Sequence, residues 1–327
     1  MSTTTTTTEI IHGQHQKRLT VKGIKGDIDD QHIGRLRPTP KDAPLSELKQ
    51  QLDEDGYLFI KNLIPRDDVL HVRQKYFEHY SPTGILLPGT NPVDGVFNAT
   101  TDPAYHAGLG AGNLPSSEDD VEKLISAHVL PDYLKFLDHP DLRAMVRALM
   151  NWDREILLRR TLLRHNIPHG LSTGVHYDKL FLRDGGAYFL TAWVPIGDIA
   201  LNGGGLIYLS DSAGLGREIE DDFTRRAATL PESERVSAFN VNMGQFGQLS
   251  DDAGSFHVEW AKGKGKWLVS DFEAGDVVFH DPYTIHGSSR NEDAEGRIRL
   301  STDLRFYEEG SDIDARWMRY WTPGDGL

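Results

Sequence analysis

The segment Gly174-Val-His176-Tyr-Asp178 carries an imidazole and a carboxylate two residues apart. On a strand, side chains two apart point the same way, so both can reach one ion. A second histidine, His286, lies far downstream in Gly275-Asp-Val-Val-Phe-His280-Asp-Pro-Tyr-Thr-Ile-His286-Gly-Ser288. Two histidines and one carboxylate on one face of a metal leave three positions open, the arrangement of non-haem Fe(II) oxygenases. There, 2-oxoglutarate takes two of the open positions and dioxygen the third. His-x-Asp alone occurs by chance in many chains. Here it gains weight from the Gly-Asp turn and apolar strand before the distal histidine and from the basic strand after it. His280 competes with His286 as third ligand; Gly287-Ser288, which lets the chain turn closely around a site, favours His286. His165, His169 and His257 read as hydrogen-bonded or surface residues, and His12 and His15 as tail residues.

A dicarboxylate needs a cation for its distal carboxylate, and the planar fork of arginine binds one bidentately. The run Arg297-Ile-Arg299-Leu-Ser301-Thr-Asp303-Leu-Arg305-Phe alternates strictly. Ile298, Leu300, Leu304 and Phe306 share one face, and Arg297, Arg299, Ser301, Asp303 and Arg305 share the other. Arg299 and Ser301 could clamp one carboxylate side by side, while plain solvent exposure is the competing reading for any of these arginines. Arg159, Arg160, Arg164, Lys179 and Arg183 cluster in sequence around His176. Tyr177, Phe181, Trp193, Phe256 and Trp260 suit a pocket wall and suit a packed core equally well.

The elements that must position these groups fall into two parts. Residues 1–44 read as a flexible arm, opening with a threonine run and closing on Pro38, Pro40 and Pro44. A short helix follows from Ser46, with serine as its cap, then a strand Tyr57–Ile60, then a helix from Pro65. Residues 81–118 suit a long covering loop and 119–150 a helical stretch. From Ile156 the pattern is of short strands: Ile156–Arg164, Gly174–Leu182, Tyr188–Val194, Gly205–Leu209, Trp267–Ser270, Asp276–His280 and Arg297–Phe306. This predicts a mainly β, α+β domain over 45–327, a sandwich or jelly roll with flanking helices. A polar insert around 211–262 reads as a lid over one end.

A net charge of −14 makes a phosphate backbone or an anionic membrane an unfavourable partner, so the expected partner is a small molecule. The absence of cysteine removes disulfides, Fe–S clusters and thiol nucleophiles together. With neither an apolar leader nor a long apolar run, the expected location is cytoplasmic. A homodimer is one option that the sequence does not decide.

With these residues in place, the chain resembles the phytanoyl-CoA dioxygenase family of iron/2-oxoglutarate oxygenases over roughly 45–307. The likeness opens at Asp55-Gly-Tyr-Leu-Phe-Ile-Lys-Asn-Leu-Ile and runs through His176-Tyr-Asp178 and Ala192-Trp193-Val-Pro-Ile-Gly-Asp. It continues in Asn202-Gly-Gly-Gly-Leu-Ile-Tyr-Leu, Gly275-Asp276, His286-Gly-Ser288, Asn291 and Arg299-Leu-Ser301. The resemblance implies a double-stranded β-helix, a cupin-like jelly roll, with Fe(II) on His176, Asp178 and His286. It implies 2-oxoglutarate and O2 as co-substrates, with Ser288 and Trp193, together with Thr191, near the co-substrate. Counting from His286 puts the co-substrate arginine at Arg297; counting back from Phe306 puts it at Arg299, which is preferred because a loop absorbs an insertion more easily than a strand. The chain departs from the family at Leu209-Ser-Asp-Ser-Ala213, where many members read Pro-Gly-Ser-His, and in its long insert.

The reaction implied is oxidative decarboxylation of 2-oxoglutarate to succinate and CO2, coupled to removal of a substrate hydrogen. Related halogenases lack a carboxylate at the position of Asp178, so its presence speaks for hydroxylation, desaturation or a related C–H oxidation. A cupin-like isomerase or hydrolase using the same triad would work without 2-oxoglutarate and tolerate loss of Arg299. A binding protein descended from the fold would usually have lost a ligand.

Overall fold

The computed structural model describes residues 20–21, 25–28, 30–108, 115–236 and 247–322. A small ribbon, β1 (Thr20–Val21) with β2 (Lys25–Asp27), precedes two larger sheets. The first has four strands in the order β12 (His286–Ser288), β9 (Leu206–Leu209), β10 (Trp267–Val269), β3 (Ile33–Arg35). The second runs β4 (Pro38–Pro40), β5 (Tyr57–Lys61), β11 (Val277–His280), β8 (Leu190–Pro195), β13 (Arg299–Glu308), β6 (Glu155–Leu157), with β7 (Leu162–Asn166) also on β13. The sheets form an open jelly-roll core rather than a closed barrel, as expected for the double-stranded β-helix class.

Period-two alternation decides what each face meets. On the large sheet, Leu58, Ile60, Ala192, Val194, Val277, Phe279, Leu300, Leu304 and Phe306 point outward into one buried cluster. There they meet the apolar stripes of α1 (Leu45–Asp55), α2 (Arg66–Tyr80), α3 (Glu118–Ala127), α4 (Pro131–Leu137) and α5 (Pro140–Met150). The alternate residues Tyr57, Phe59, Trp193 and Val278 point inward to Leu206, Tyr208 and Phe272 between the sheets. The outer face of the small sheet, Ile207, Leu209, Trp267 and Val269, is covered by Ile219 and Phe223 of α6 (Ala213–Ala227) and Phe256 of α8 (Ala253–Glu259). The short α7 (Glu232–Arg235) lies between these two helices in the chain.

Several expectations change. The arm is not free throughout: β3 pairs in parallel with β10, and β4 pairs in parallel with β5, so residues from Ile33 onward extend both sheets. His12 and His15 lie outside the described residues. The first helix starts after Pro44, and Ser46 sits inside it rather than capping it. The stretch 119–150 is three helices, because Pro131 and Pro140 hold Leu130 and His139 extended before each restart. Ile156–Arg164 splits into β6 and β7 where the Arg160 amide leaves the sheet to bond the Trp317 carbonyl. The described part of the insert packs on the outer face of the small sheet through Ile219, Phe223 and Phe256. Among the described residues, no helix is long and apolar enough to cross a membrane.

Candidate active site

Gly174–Leu182 is not a continuous strand. Val175 bridges to Ser250 and His176 to His286, after which the chain enters a tight helical turn at Asp178–Phe181. His176 and His286 exchange both backbone hydrogen bonds at 2.9 Å, so two ligands distant in sequence become direct cross-strand partners. Their rings lie 4.3 Å apart. The ligating atoms of His176, Asp178 and His286 all fall within 4.8 Å of one another, and all three residues are buried. The spacing that suggested a shared strand face therefore works by another route: a bridge followed by a turn.

Each imidazole has its tautomer set by a backbone carbonyl. His176 Nδ1–H donates to the Gly174 carbonyl at 2.8 Å, and His286 Nδ1–H to the Thr284 carbonyl at 2.9 Å. Both Nε2 lone pairs are left for a metal, and such outer partners also raise ligand basicity. Burial pushes both histidines below their ordinary range, that of His286 furthest because the neighbouring His176 and His280 add repulsion. They are neutral near pH 7, as ligation requires.

Asp178 is held from three sides. Its Oδ2 accepts from Thr191 Oγ1 at 2.6 Å, Arg305 Nε at 3.2 Å and His280 Nε2 at 3.4 Å. Its Oδ1 accepts from Arg305 Nη2 at 2.9 Å and lies 3.9 Å from Nε2 of both His176 and His286. Oδ1 is therefore the oxygen directed at the metal position. Burial alone would raise this carboxyl; Arg305, with His280 and His286, overrides it and holds the group well below the usual carboxylate range. His280 faces the carboxylate and receives the Tyr208 hydroxyl on Nδ1 at 3.3 Å. It buttresses the ligand and stands outside the triad.

Of the co-substrate candidates, Arg299 and Ser301 turn inward and are buried, and Arg299 lies 5.6 Å from the Trp193 ring centre. Arg299 Nη1 donates to Asn166 Oδ1 at 2.5 Å. Arg299 Nε, Ser301 Oγ and Trp193 Nε1 are buried without a protein partner, which fits an anionic ligand between them. Arg297 is not among them. It precedes the strand, its side chain is 38% exposed, and it pairs with Asp293 at 3.1 Å and Glu295 at 3.3 Å. Ser288 is buried and accepts the Thr173 amide at 2.9 Å. Thr191 serves Asp178 and not the arginine side. Arg305 and Asn166 were the residues missed: the alternation that marks Arg299 also places Arg305 on the same face, but nothing in sequence shows that it reaches Asp178.

The bland readings fit the other histidines. His165 is buried between the Tyr76 hydroxyl and the His106 carbonyl, His257 donates to the Gly265 carbonyl, and His169 is exposed. Among the aromatics, Phe181 packs edge-on at 5.5 Å from His176, whereas Tyr177 and Phe256 belong to the core behind the small sheet. Trp260 stacks on Phe256 at the surface.

The fold is that of a jelly roll, and the triad is a set of ligands that could hold one metal ion. The sequence profile of the Phytanoyl-CoA dioxygenase (PhyH) family matches residues 52–298, which include the triad, Thr191, Trp193, Ser288 and Arg297 and end one residue before Arg299. The chain belongs to the phytanoyl-CoA dioxygenase family. The mouse (Mus musculus) peroxisomal phytanoyl-CoA dioxygenase is 25% identical over 258 residues, covering 78% of this chain and 66% of that protein, just under two thirds of its length. The carbocyclase SnoK of nogalamycin biosynthesis superposes with a TM-score of 0.50 at 16% identity, covering 86% of this chain and 88% of that one. The epimerase SnoN of the same pathway gives 0.49 at 14% identity, covering 86% and 91%. The likeness to SnoK concerns the fold.

Proposed function

We propose that the chain oxidises a C–H bond of a small organic molecule, by hydroxylation, desaturation or a related step, with 2-oxoglutarate converted to succinate and CO2. Fe(II) would be held by His176, Asp178 and His286, and the distal carboxylate of 2-oxoglutarate by Arg299 and Ser301. Bound together, metal and co-substrate supply the oxidising power. The residues of this chain do the rest. Arg305 and Thr191 hold Asp178 with one oxygen toward the metal, the Gly174 and Thr284 carbonyls aim the two imidazoles, and the packed sheets keep water from the centre. Trp193 forms the wall beside Arg299, and Ser288 lies on the Arg164 side through Thr173.

The observation carrying this reading is the pair of unpartnered donors, Arg299 Nε and Ser301 Oγ, on the inward face of the strand whose Arg305 holds Asp178. Arg299→Ala is expected to raise KM for 2-oxoglutarate by about a hundred-fold, the worth of a lost charge-assisted carboxylate contact. Arg297→Ala should change it by less than about two-fold, as for an exposed ion pair. Equal effects of the two substitutions on succinate release would contradict the assignment. Turnover independent of 2-oxoglutarate would favour a metal-dependent isomerase or hydrolase.

The compartment inferred is the cytosol. The alternative is the peroxisome, which the name of the mouse relative carries, and imaging of the tagged full chain distinguishes the two.

A further inference from the structure

The charged side chains that act on one another around the ligands are Arg164, Arg299 and Arg305 against Asp178 and Asp303. All five are at least nine-tenths buried. Other charges nearby are already matched: Lys61 pairs with Asp276 at 2.6 Å and Arg183 with Glu220 at 2.7 Å, while Lys179 turns away to the Gly185 carbonyl. Even with every histidine neutral, the guanidiniums outnumber the carboxylates by one. Fe(II) and 2-oxoglutarate, which the proposed function supplies and on which this inference rests, bring opposite charges of equal size and leave the excess in place. The count is the same whichever arginine receives the co-substrate.

Arg299 and Arg164 are both lowered, chiefly by burial, whereas against its burial Asp178 and Asp303 hold Arg305 up. Burial first, and then repulsion from Arg164, lowers Arg299 to about 9. Geometry locates what is missing. Arg305 spends Nε and Nη2 on Asp178 and leaves Nη1 buried without a partner. Arg164, directly across the strand pair from Ser301, gives Nη1 to Thr173 Oγ1 and lies 4.0 Å from Asp303, with Nε buried and unpartnered. An uncompensated buried charge is among the costliest features a protein can carry, and buried donors normally find acceptors.

We propose that the primary substrate is a carboxylic acid whose carboxylate is received by Arg305 and Arg164 beside the metal. A monoanion matches the single excess charge; a phosphate monoester, with nearly two charges, overshoots it. Arg305 then has two tasks: it positions the aspartate ligand through one edge of its fork and faces the substrate acid with the other.

The test uses the full chain loaded anaerobically with Fe(II) and saturating 2-oxoglutarate, titrated with matched pairs of acid and primary amide. Octanoate with octanamide, phenylacetate with phenylacetamide, and cyclohexanecarboxylate with its amide cover three shapes. The readouts are the change in the visible charge-transfer band and the rise in Tm. In the pair that binds best, the acid is expected to bind at least about ten-fold more tightly than the amide, as a charge-assisted contact implies. In Arg164→Gln that gap should close. Amides binding as well as acids, no response to any pair, or acids acting only by weakening 2-oxoglutarate would each overturn the proposal. Failure of the band to form when 2-oxoglutarate meets the Fe(II) protein would instead remove the co-substrate reading, and this inference with it.

Discussion

At the scale of single residues, the centre depends on how a carboxylate is aimed as much as on which residues ligate. Asp178 carries its Arg305, Thr191 and His280 contacts mostly on Oδ2, which leaves Oδ1 for the metal. Arg305→Gln keeps side-chain polarity but loses the bidentate fork. It is expected to weaken Fe(II) binding by about 10–100-fold, the usual cost of losing an outer partner of a metal ligand. His286→Ala should abolish stoichiometric metal binding, whereas His280→Ala should retain it with reduced affinity. Anaerobic metal titration of the three variants distinguishes ligand, positioning residue and buttress; stoichiometric binding by His286→Ala with none by His280→Ala would reverse the assignment of third ligand.

At the scale of elements, the turn before β11 shows how the Gly-Asp motif contributes without touching the chemistry. Gly275 has φ +110°, and an added Cβ would come within 2.4 Å of the Ile64 carbonyl oxygen. Asp276 accepts the amides of Asn62 and Glu273 at 3.1 and 2.8 Å and the Lys61 ammonium at 2.6 Å. Asp276→Ala leaves the Asn62 and Glu273 amides without this acceptor, while Lys61 keeps Glu273 at 2.8 Å, and is expected to cost about 1–2 kcal/mol in stability, read by urea denaturation, with metal affinity unchanged. The same turn illustrates what the sequence made legible. Strict alternation exposed β13 and its two faces, aromatic and β-branched content exposed β5, and the Gly287-Ser288 turn, not any period, singled out His286 as candidate ligand. The short strands β3 and β4 stayed hidden in a proline-rich segment, since their pairing is decided by distant partners rather than by their own composition. The breakdown of Gly174–Leu182 into a bridge and a turn was hidden for the same reason, as were Asn166 and the reach of Arg305 to Asp178. Arg297 and Arg299 are alike in residue type and in parity; only the acidic neighbours Asp293 and Glu295, which draw Arg297 outward, separate them.

At the scale of the whole molecule, the helix layer is tied to the large sheet partly through buried histidines, and this sets an acid limit on stability. His128 and His165 are both lowered to about 4, chiefly by burial. The native state keeps them neutral down to that value, while the unfolded chain takes up protons near 6.5. Stability is thus complete above about pH 6.5 and is lost as pH falls toward 4, with a combined slope on the order of 2 kcal/mol per pH unit. Urea midpoints measured from pH 7.5 to 4.5 check this, and a flat profile would contradict it. The same architecture brings His176, Asp178 and His286 together from a bridge, a turn and a distant strand, and turns Arg299 inward from the strand that carries Arg305. The measurement that tests this most directly is an anaerobic titration of the Fe(II)-loaded protein with 2-oxoglutarate, followed in the visible region. A weak charge-transfer band saturating at one equivalent, lost in Asp178→Ala and shifted to much higher concentration in Arg299→Ala, is the predicted result. Saturable Fe(II) binding with no band at any 2-oxoglutarate concentration would contradict the account.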